Sequence, residues 1–261
     1  MTEKLKRPNS VVTRLEETWP GSASDQRDLV VAEVNRGIGR MALPRRWTQK
    51  ELRQKKLIHV GMEQRQVLNA FRQLRTQLMQ KRRTDNLTVM MSAAGAGESC
   101  SALNAINLAA AFALDPQKTA LYVDCNPYQP SAERFMLGRP RYGVTDFLEQ
   151  PDMPLERIIY PTGLDRLRII PVGQAAMAAA EQFHSVRMQT LIAELKLRYK
   201  DRFIIVNAPS VTASSEAQVL SQYCDMTVLV APYGRVTSAD METAYRSIDK
   251  HRLAGMIYSY L

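Results

Sequence analysis

One stretch constrains this chain more than any other: Leu87-Thr-Val-Met-Met-Ser-Ala-Ala-Gly-Ala-Gly-Glu-Ser99. The apolar run Leu87 to Met91 predicts a buried strand, small residues make a tight turn, and Ser99 to Leu114 has a helical apolar period. A strand that enters a helix through such a turn gathers backbone N–H groups at the helix N-terminus, which attracts anions. The Walker A pattern G-x-x-x-x-G-K-[ST] falls on Ser92 to Ser99. Gly97 and Ser99 match it, Ser92 replaces the first glycine with another small residue, and the lysine position holds Glu98. The scaffold is that of a phosphate-binding loop whose cation has become an anion.

The rest of the sequence supplies a sheet for that loop. Further strands are predicted at Thr119–Val123, Leu167–Pro171, Phe203–Val206, Met226–Ala231 and Leu253–Tyr258. Helices are predicted between them, over residues 98–114, 131–137, 185–199, 214–223 and 238–250. Continuously apolar strands alternating with helices predict an α/β fold. The expected form is a doubly wound, mostly parallel sheet of P-loop NTPase type with helices on both faces. The 261 residues, 45% of them hydrophobic, suffice for one such core plus an extension. No apolar run approaches the roughly 18 residues of a membrane span, and Met1-Thr-Glu-Lys-Leu-Lys has no secretory core, so a soluble, cytoplasmic protein is expected. Cys100, Cys125 and Cys224 have no metal-ligand spacing, and His59, His184 and His251 form no triad, which fits a reduced compartment.

The net charge of +9 is uneven. Residues 1–83 hold 19 Lys/Arg against 8 Asp/Glu, whereas the remainder holds 16 against 18. The expected division is a basic, partly disordered extension over 1–56 and an α/β domain over 57–261. Within the first part, residues 1–25 are polar, Asp25 caps a predicted amphipathic helix from Gln26 to Met41, and Pro44 ends it. A basic stretch, Arg45 to Lys56, then leads to a predicted helix from Glu63 to Arg82. Such an extension suits an anionic membrane surface, an acidic partner or plain solvation. No base-reading motif is interleaved with it, which disfavours nucleic acid.

From Glu63 to Tyr258 the chain resembles the cytoplasmic domain of bacterial tyrosine autokinases, the P-loop family of capsule and exopolysaccharide synthesis. Six stretches carry the resemblance: Asn69-Ala-Phe-Arg-Gln-Leu-Arg75; Ser92-Ala-Ala-Gly-Ala-Gly-Glu-Ser99; Ala120-Leu-Tyr-Val-Asp-Cys-Asn126 with Pro130; Gly143-Val-Thr-Asp-Phe-Leu148; Arg198-Tyr-Lys-Asp-Arg-Phe-Ile-Ile-Val-Asn-Ala-Pro209; and Ser215-Glu-Ala-Gln-Val-Leu220. The resemblance implies a nucleotide site, ATP or ADP with Mg²⁺, on Gly95, Ala96, Gly97, Glu98, Ser99, Cys100, Asp124, Asn126 and Asn207. In the family a loop lysine, an aspartate pair and a Walker B aspartate do the chemistry. Here those positions are Glu98, then Asp124 with Asn126, then Asn207, so only Asp124 survives. Ser99 and Asp124 are the remaining candidates to hold a metal, and Asp124 the one candidate catalytic group. The family's E-x-x-R-x-x-R assembly motif reads Asn69-x-x-Arg72-x-x-Arg75, which leaves Arg72 and Arg75 as candidate oligomer or partner contacts. Its C-terminal tyrosine cluster has no counterpart in Tyr258-Ser-Tyr260-Leu261.

Magnitudes weigh against kinase chemistry. Two unit charges about 4 Å apart interact by roughly 4 kcal/mol at an effective dielectric near 20. Exchanging lysine for Glu98 therefore turns a favourable interaction with phosphate into an unfavourable one of that order. Each residue also has a plainer role: Glu98 as a helix-dipole partner, Asp124 as a turn cap before Pro127, Asn207 as a satisfied buried amide, and Cys100 and Cys125 as core thiols. The expected function is a catalytically degenerate, regulatory or scaffolding protein of exopolysaccharide or capsule synthesis or export. Its expected partner is a membrane co-polymerase of the chain-length-determinant type or an active kinase relative, with room for a homo-oligomer and a peripheral place at the inner membrane. The alternative is an active tyrosine kinase or ATPase with re-sited charges, for which Lys118 and Arg235 are the cationic candidates. A deviant partitioning ATPase is disfavoured by Ala93 and Ala94, where that group carries an additional lysine.

Overall fold

The computed structural model describes residues 45–81, 86–95, 98–174, 179–198 and 202–260. The expected helix over 26–41, and with it most of the basic extension, lies outside the described residues, as do Ala96, Gly97 and the side chain of Glu98. Helices α1 (Gln49–Gln54) and α2 (Arg65–Lys81) precede β1 (Thr88–Ala93), α3 (Glu98–Ala113) and β2 (Thr119–Asp124). Then come α4 (Val144–Glu149), β3 (Tyr160–Pro161), β4 (Leu167–Ile170), α5 (Ala179–Phe183) and α6 (Val186–Arg198). The last elements are β5 (Arg202–Asn207), α7 (Ser215–Tyr223), β6 (Met226–Pro232), α8 (Ser238–Arg246) and β7 (Leu253–Ser259).

The seven strands form one sheet in the order β3-β4-β2-β5-β1-β6-β7, parallel throughout except for the β3–β4 pair. Every residue of β1, β2, β4, β5 and β6 is buried, as a sheet covered on both faces requires. Val89, Met91, Tyr122, Phe203 and Ile205 pack under α2 and α3, and the rings of Phe112 and Phe203 stack at 4.3 Å. Met90, Leu121, Val123, Ile204 and Val206 face the opposite cluster, built from α4 to α8. Residue alternation along each strand thus divides two cores.

Two expectations change. Residues 131–137 make only a short 3₁₀ turn over Ala132–Phe135, because Asp124 draws the amides of Ser131 and Ala132 inward. The helix expected over 185–199 forms as α6, and a further short helix, α5, precedes it. Residues 45–56, assigned on charge to the extension, are packed onto the domain. Trp47 N donates to Gly163 O at 3.0 Å, and a Cβ on Gly163 would lie 2.2 Å from the Trp47 ring, so only glycine fits there. The basic run is the solvated face of a helix whose Leu52 is buried.

Candidate functional site

β1 and β5 lie side by side in the sheet, and the helices that follow them, α3 and α7, cover opposite faces. Their C-terminal ends therefore open the crevice in which doubly wound sheets bind ligands. The turn after β1 begins with Gly95 at φ +123°, a conformation open to glycine. Ser92 Oγ donates to Pro209 O at 2.5 Å and accepts from Val211 N at 3.0 Å. Ser210 Oγ donates to Ala93 O at 3.1 Å and accepts from Gly95 N at 3.3 Å. The β5–α7 loop is thus stapled to the turn, and Gly95, one amide of the expected cradle, is already engaged.

Asp124 is fully buried and directly beside Asn207 across the β2–β5 register. One carboxylate oxygen accepts from Ser131 N at 2.7 Å, Ala132 N at 2.9 Å and Ser131 Oγ at 3.0 Å. The other accepts from Asn207 Nδ2 at 2.9 Å and Asn126 N at 3.3 Å. Five donors exceed the roughly four lone-pair sites of a carboxylate. Burial pushes the Asp124 carboxyl up from its usual value, against these hydrogen bonds. Asn126 Oδ1 accepts from Tyr128 N and Gln129 N, an Asx turn. Asn207 Oδ1 is buried without a hydrogen-bond partner among the described residues, one unmatched acceptor in an otherwise closed network.

A divalent cation of the kind the fold implies needs about six oxygen ligands, several of them charged. The residues present do not fit one: Asp124 is saturated, Asn126 and Asn207 are neutral, and Ser99 Oγ is turned to Gln129 Oε1 at 3.0 Å. The cavity against Asp124, lined also by Ala132, Arg141, Tyr142 and Gln174, holds about 110 Å³. Small-molecule sites occupy roughly 300–1,000 Å³.

Two acids at the crevice escaped the sequence reading. A Cβ on Gly95 would meet Asp240 Cβ at 3.4 Å, because α8 begins beside the turn. The Thr237 amide and hydroxyl hold the Asp240 carboxyl below its usual value. Thr237-x-x-Asp240 is a capping box, legible in sequence as a helix start though not as a neighbour of Gly95. Glu216 is buried; burial raises its carboxyl, but Ser214 and Tyr128 hydroxyls at 2.5 Å outweigh this and hold it low. Of the cationic candidates, Lys118 is a correction: it precedes β2 at the far end of the strand and pairs with Asp115 at 2.9 Å. Arg235 lies in the β6–α8 turn, next to Val236, which borders Gly95. Arg75 Nη1 donates to Ala111 O at 2.7 Å in the last turn of α3, and Arg72 is exposed. The Cys125 thiol is raised well above its usual value by burial, and Cys224 is pushed up to about 12, so both act as packing groups. Cys100 is likewise buried, at the start of α3.

This turn on this sheet defines a P-loop NTPase-type α/β protein. Within that class the chain is similar to bacterial tyrosine kinases. It is 24% identical over 202 residues to the tyrosine-protein kinase wzc of Salmonella typhi, covering 77% of this chain and 28% of that protein's length. It matches the kinase domain of VpsO with 26% identity and a TM-score of 0.65, covering 76% of this chain and 96% of that one. The kinase domain of Escherichia coli tyrosine kinase ETK matches at 22% identity and a TM-score of 0.63, covering 73% of this chain and 74% of that one. No family model matches the chain.

Proposed function

We propose that this chain is a catalytically degenerate member of the bacterial tyrosine autokinase family, a regulatory or scaffolding partner in bacterial exopolysaccharide or capsule synthesis or export. The observation that carries the reading is the closed state of Asp124, whose oxygens are taken by five protein donors, one of them the Asn207 amide. Phosphoryl transfer depends on cations that neutralise the γ-phosphoryl group. Here Glu98 stands at the loop lysine's position, Asp240 borders Gly95, and the one surviving metal acid is enclosed. The proposed partner is a membrane co-polymerase of the chain-length-determinant type or an active kinase relative. The proposed docking face comprises residues 45–56 and Arg72, set against a cytoplasmic, peripheral position at the inner membrane. Among the described residues no helix is long and apolar enough to cross a membrane.

The test is incubation with γ-³²P-ATP and Mg²⁺ alongside calorimetric titration with Mg·ATP and Mg·ADP. No self-labelling and no magnesium-dependent binding heat are expected; labelling that vanishes in Asp124→Ala overturns the reading. A second reading, an active ATPase with a re-sited cation, is favoured by the place of Arg235 beside the residue that borders Gly95. That reading requires ATP turnover that is lost in Arg235→Ala.

A further inference from the structure

A cleft of about 420 Å³ lies between the end of α1, the first turn of α2 and the middle of α3, with Tyr260 on its border. That volume is within the roughly 300–1,000 Å³ of small-molecule sites. One short stretch of sequence builds most of its wall. Helix α1 ends in a Schellman turn, in which Leu57 N donates to Leu52 O at 2.9 Å and Lys56 N to Arg53 O at 3.0 Å. Lys56 stands at φ +55°, the left-handed position where glycine is the usual residue. The chain keeps a lysine there. Asn107 of α3 is buried, accepts from Ile58 N at 2.8 Å and donates to Lys56 O at 3.0 Å. The wall is therefore fixed before any ligand arrives.

Two polar groups of that wall are unused. His59 lines the cleft and is only 4% exposed. Its Nδ1 lies 3.1 Å from Leu57 O, and since a carbonyl only accepts, Nδ1 carries the hydrogen. Nε2 is left buried without a partner among the described residues, and in the neutral ring that nitrogen is an acceptor. A buried acceptor in that state costs stability unless a bound molecule completes it. The second group is the Lys56 ammonium, exposed and without a side-chain partner among the described residues. Its neighbours are engaged: Arg53 pairs with Glu63 at 2.8 Å, and Lys55 Nζ donates to Arg134 O at 2.5 Å. The first turn of α2 adds Gln64 and Val67 to the wall and contains no acid. The positive end of this 17-residue helix thus borders the cleft, with Glu63 just before it taken by Arg53.

We propose that this cleft binds a soluble, polyhydroxylated phosphate ester, a molecule of the sugar phosphate class. Charge selects an anion, because residues 45–81 hold ten Lys/Arg against two Asp/Glu. The kind of donor selects phosphate over carboxylate. A carboxylate is matched best by a two-pronged guanidinium, and Arg53 already holds that of Glu63. A lysine ammonium and a helix N-terminus are the usual partners of phosphate. His59 selects the rest of the molecule, since an acceptor with no protein donor calls for a ligand hydroxyl. Met62, Val67 and the ring of Tyr260, which stacks on Tyr233 at 4.5 Å, offer apolar surface to the C–H face of a sugar. Asn107 lies eight residues along α3 from Ser99, roughly 12 Å at 1.5 Å per residue. The cleft is thus set apart from the loop after β1, and the proposal holds whether or not nucleotide binds there.

Calorimetric titration of the full chain with glucose 1-phosphate, phenyl phosphate and glucose tests it. Glucose 1-phosphate is expected to bind. Phenyl phosphate lacks the hydroxyl for His59 and glucose lacks the charge for Lys56, so each is expected to bind at least about tenfold more weakly. Lys56→Gly is the deciding variant, because glycine suits the left-handed turn and the fold is expected to melt no lower. It is expected to weaken glucose 1-phosphate at least about tenfold and to leave glucose unchanged. His59→Phe is expected to bring glucose 1-phosphate down to the level of phenyl phosphate. No binding of glucose 1-phosphate at millimolar concentration overturns the proposal. So does binding that Lys56→Gly leaves intact, which would place the anion elsewhere, the loop after β1 included. Phenyl phosphate bound as tightly as glucose 1-phosphate overturns the assignment to a hydroxylated ligand. Retention on phosphatidic acid vesicles with no soluble ester bound overturns the small-molecule site and gives this face to a membrane.

Discussion

On the proposed reading, the residue that sets this site apart from a metal centre is Asn207. Its amide nitrogen, 2.9 Å from Asp124, supplies a hydrogen bond that lets one buried carboxylate stand without a cation. Asn207→Asp would place two carboxylates side by side in full burial, where one must take up a proton or a cation must enter. We expect the variant to lose about 3 kcal/mol in urea unfolding at neutral pH, the scale of an uncompensated buried charge. Millimolar Mg²⁺ should restore part of that loss and leave the unsubstituted chain unchanged. An equal response of both proteins to Mg²⁺ would count against the cation-free role of Asn207. Ser131→Ala should cost less, about 1 kcal/mol, since the Ser131 amide still reaches the carboxylate. The sequence marks Asp124 as the surviving acid because it ends an apolar strand. Its saturation is not legible there, since three of its donors are backbone amides, of Asn126, Ser131 and Ala132, whose direction residue identity does not encode.

At the scale of elements, long apolar runs were the readable part. All six expected strands form, with ends shifted by up to two residues, because continuous burial writes a continuous apolar run. What escaped was short or held by tertiary contact: α1 has six residues, β3 has two, and α4 is fixed by Asp146 Oδ2 accepting from Gly143 N at 2.7 Å. The start of the packed unit escaped for the same reason, since a run of six cations around Leu52 hides the apolar anchor that Trp47 provides. Gly163→Ala should cost about 1–3 kcal/mol, an overpacking penalty readable in thermal unfolding, because the new methyl would fall inside the Trp47 ring. The two arginines of α2 should separate in the same assay. Arg75→Ala removes a donor from the α3 C-terminal carbonyls and should cost about 1 kcal/mol. Arg72→Ala touches an exposed position and should stay within about 0.5 kcal/mol. An effect of Arg72→Ala on partner binding at unchanged stability would then identify a contact residue rather than a structural one.

At the scale of the whole molecule, the carboxyls do not all respond to acid in the same direction. The Glu216, Asp115, Asp240 and Glu51 carboxyls are held below their usual values, and among the described residues the Asp124 carboxyl alone is held above. A depressed carboxyl stabilises the fold above its usual value of 4.5 for Glu or 3.8 for Asp, and that contribution is lost as pH falls through the folded value. Asp124 has the opposite sign. Its contribution is complete below 3.8 and is lost as pH rises through the folded value, so it opposes the others on the acid limb. Four depressed groups against one raised group give a fold that weakens on acidification below pH 4.5. Glu216 is the best reporter, because its carboxylate ties the start of α7 to the 126–130 loop through Tyr128 and is itself buried. Replacing it by glutamine should lower the thermal midpoint at neutral pH, where the unsubstituted carboxylate accepts from two hydroxyls. As pH falls toward about 3 the two melting curves should converge, because a protonated Glu216 is no longer a better acceptor than an amide. A gap between the proteins that stays constant across that range would mean that packing at residue 216, and not its charge, holds the loop to the helix.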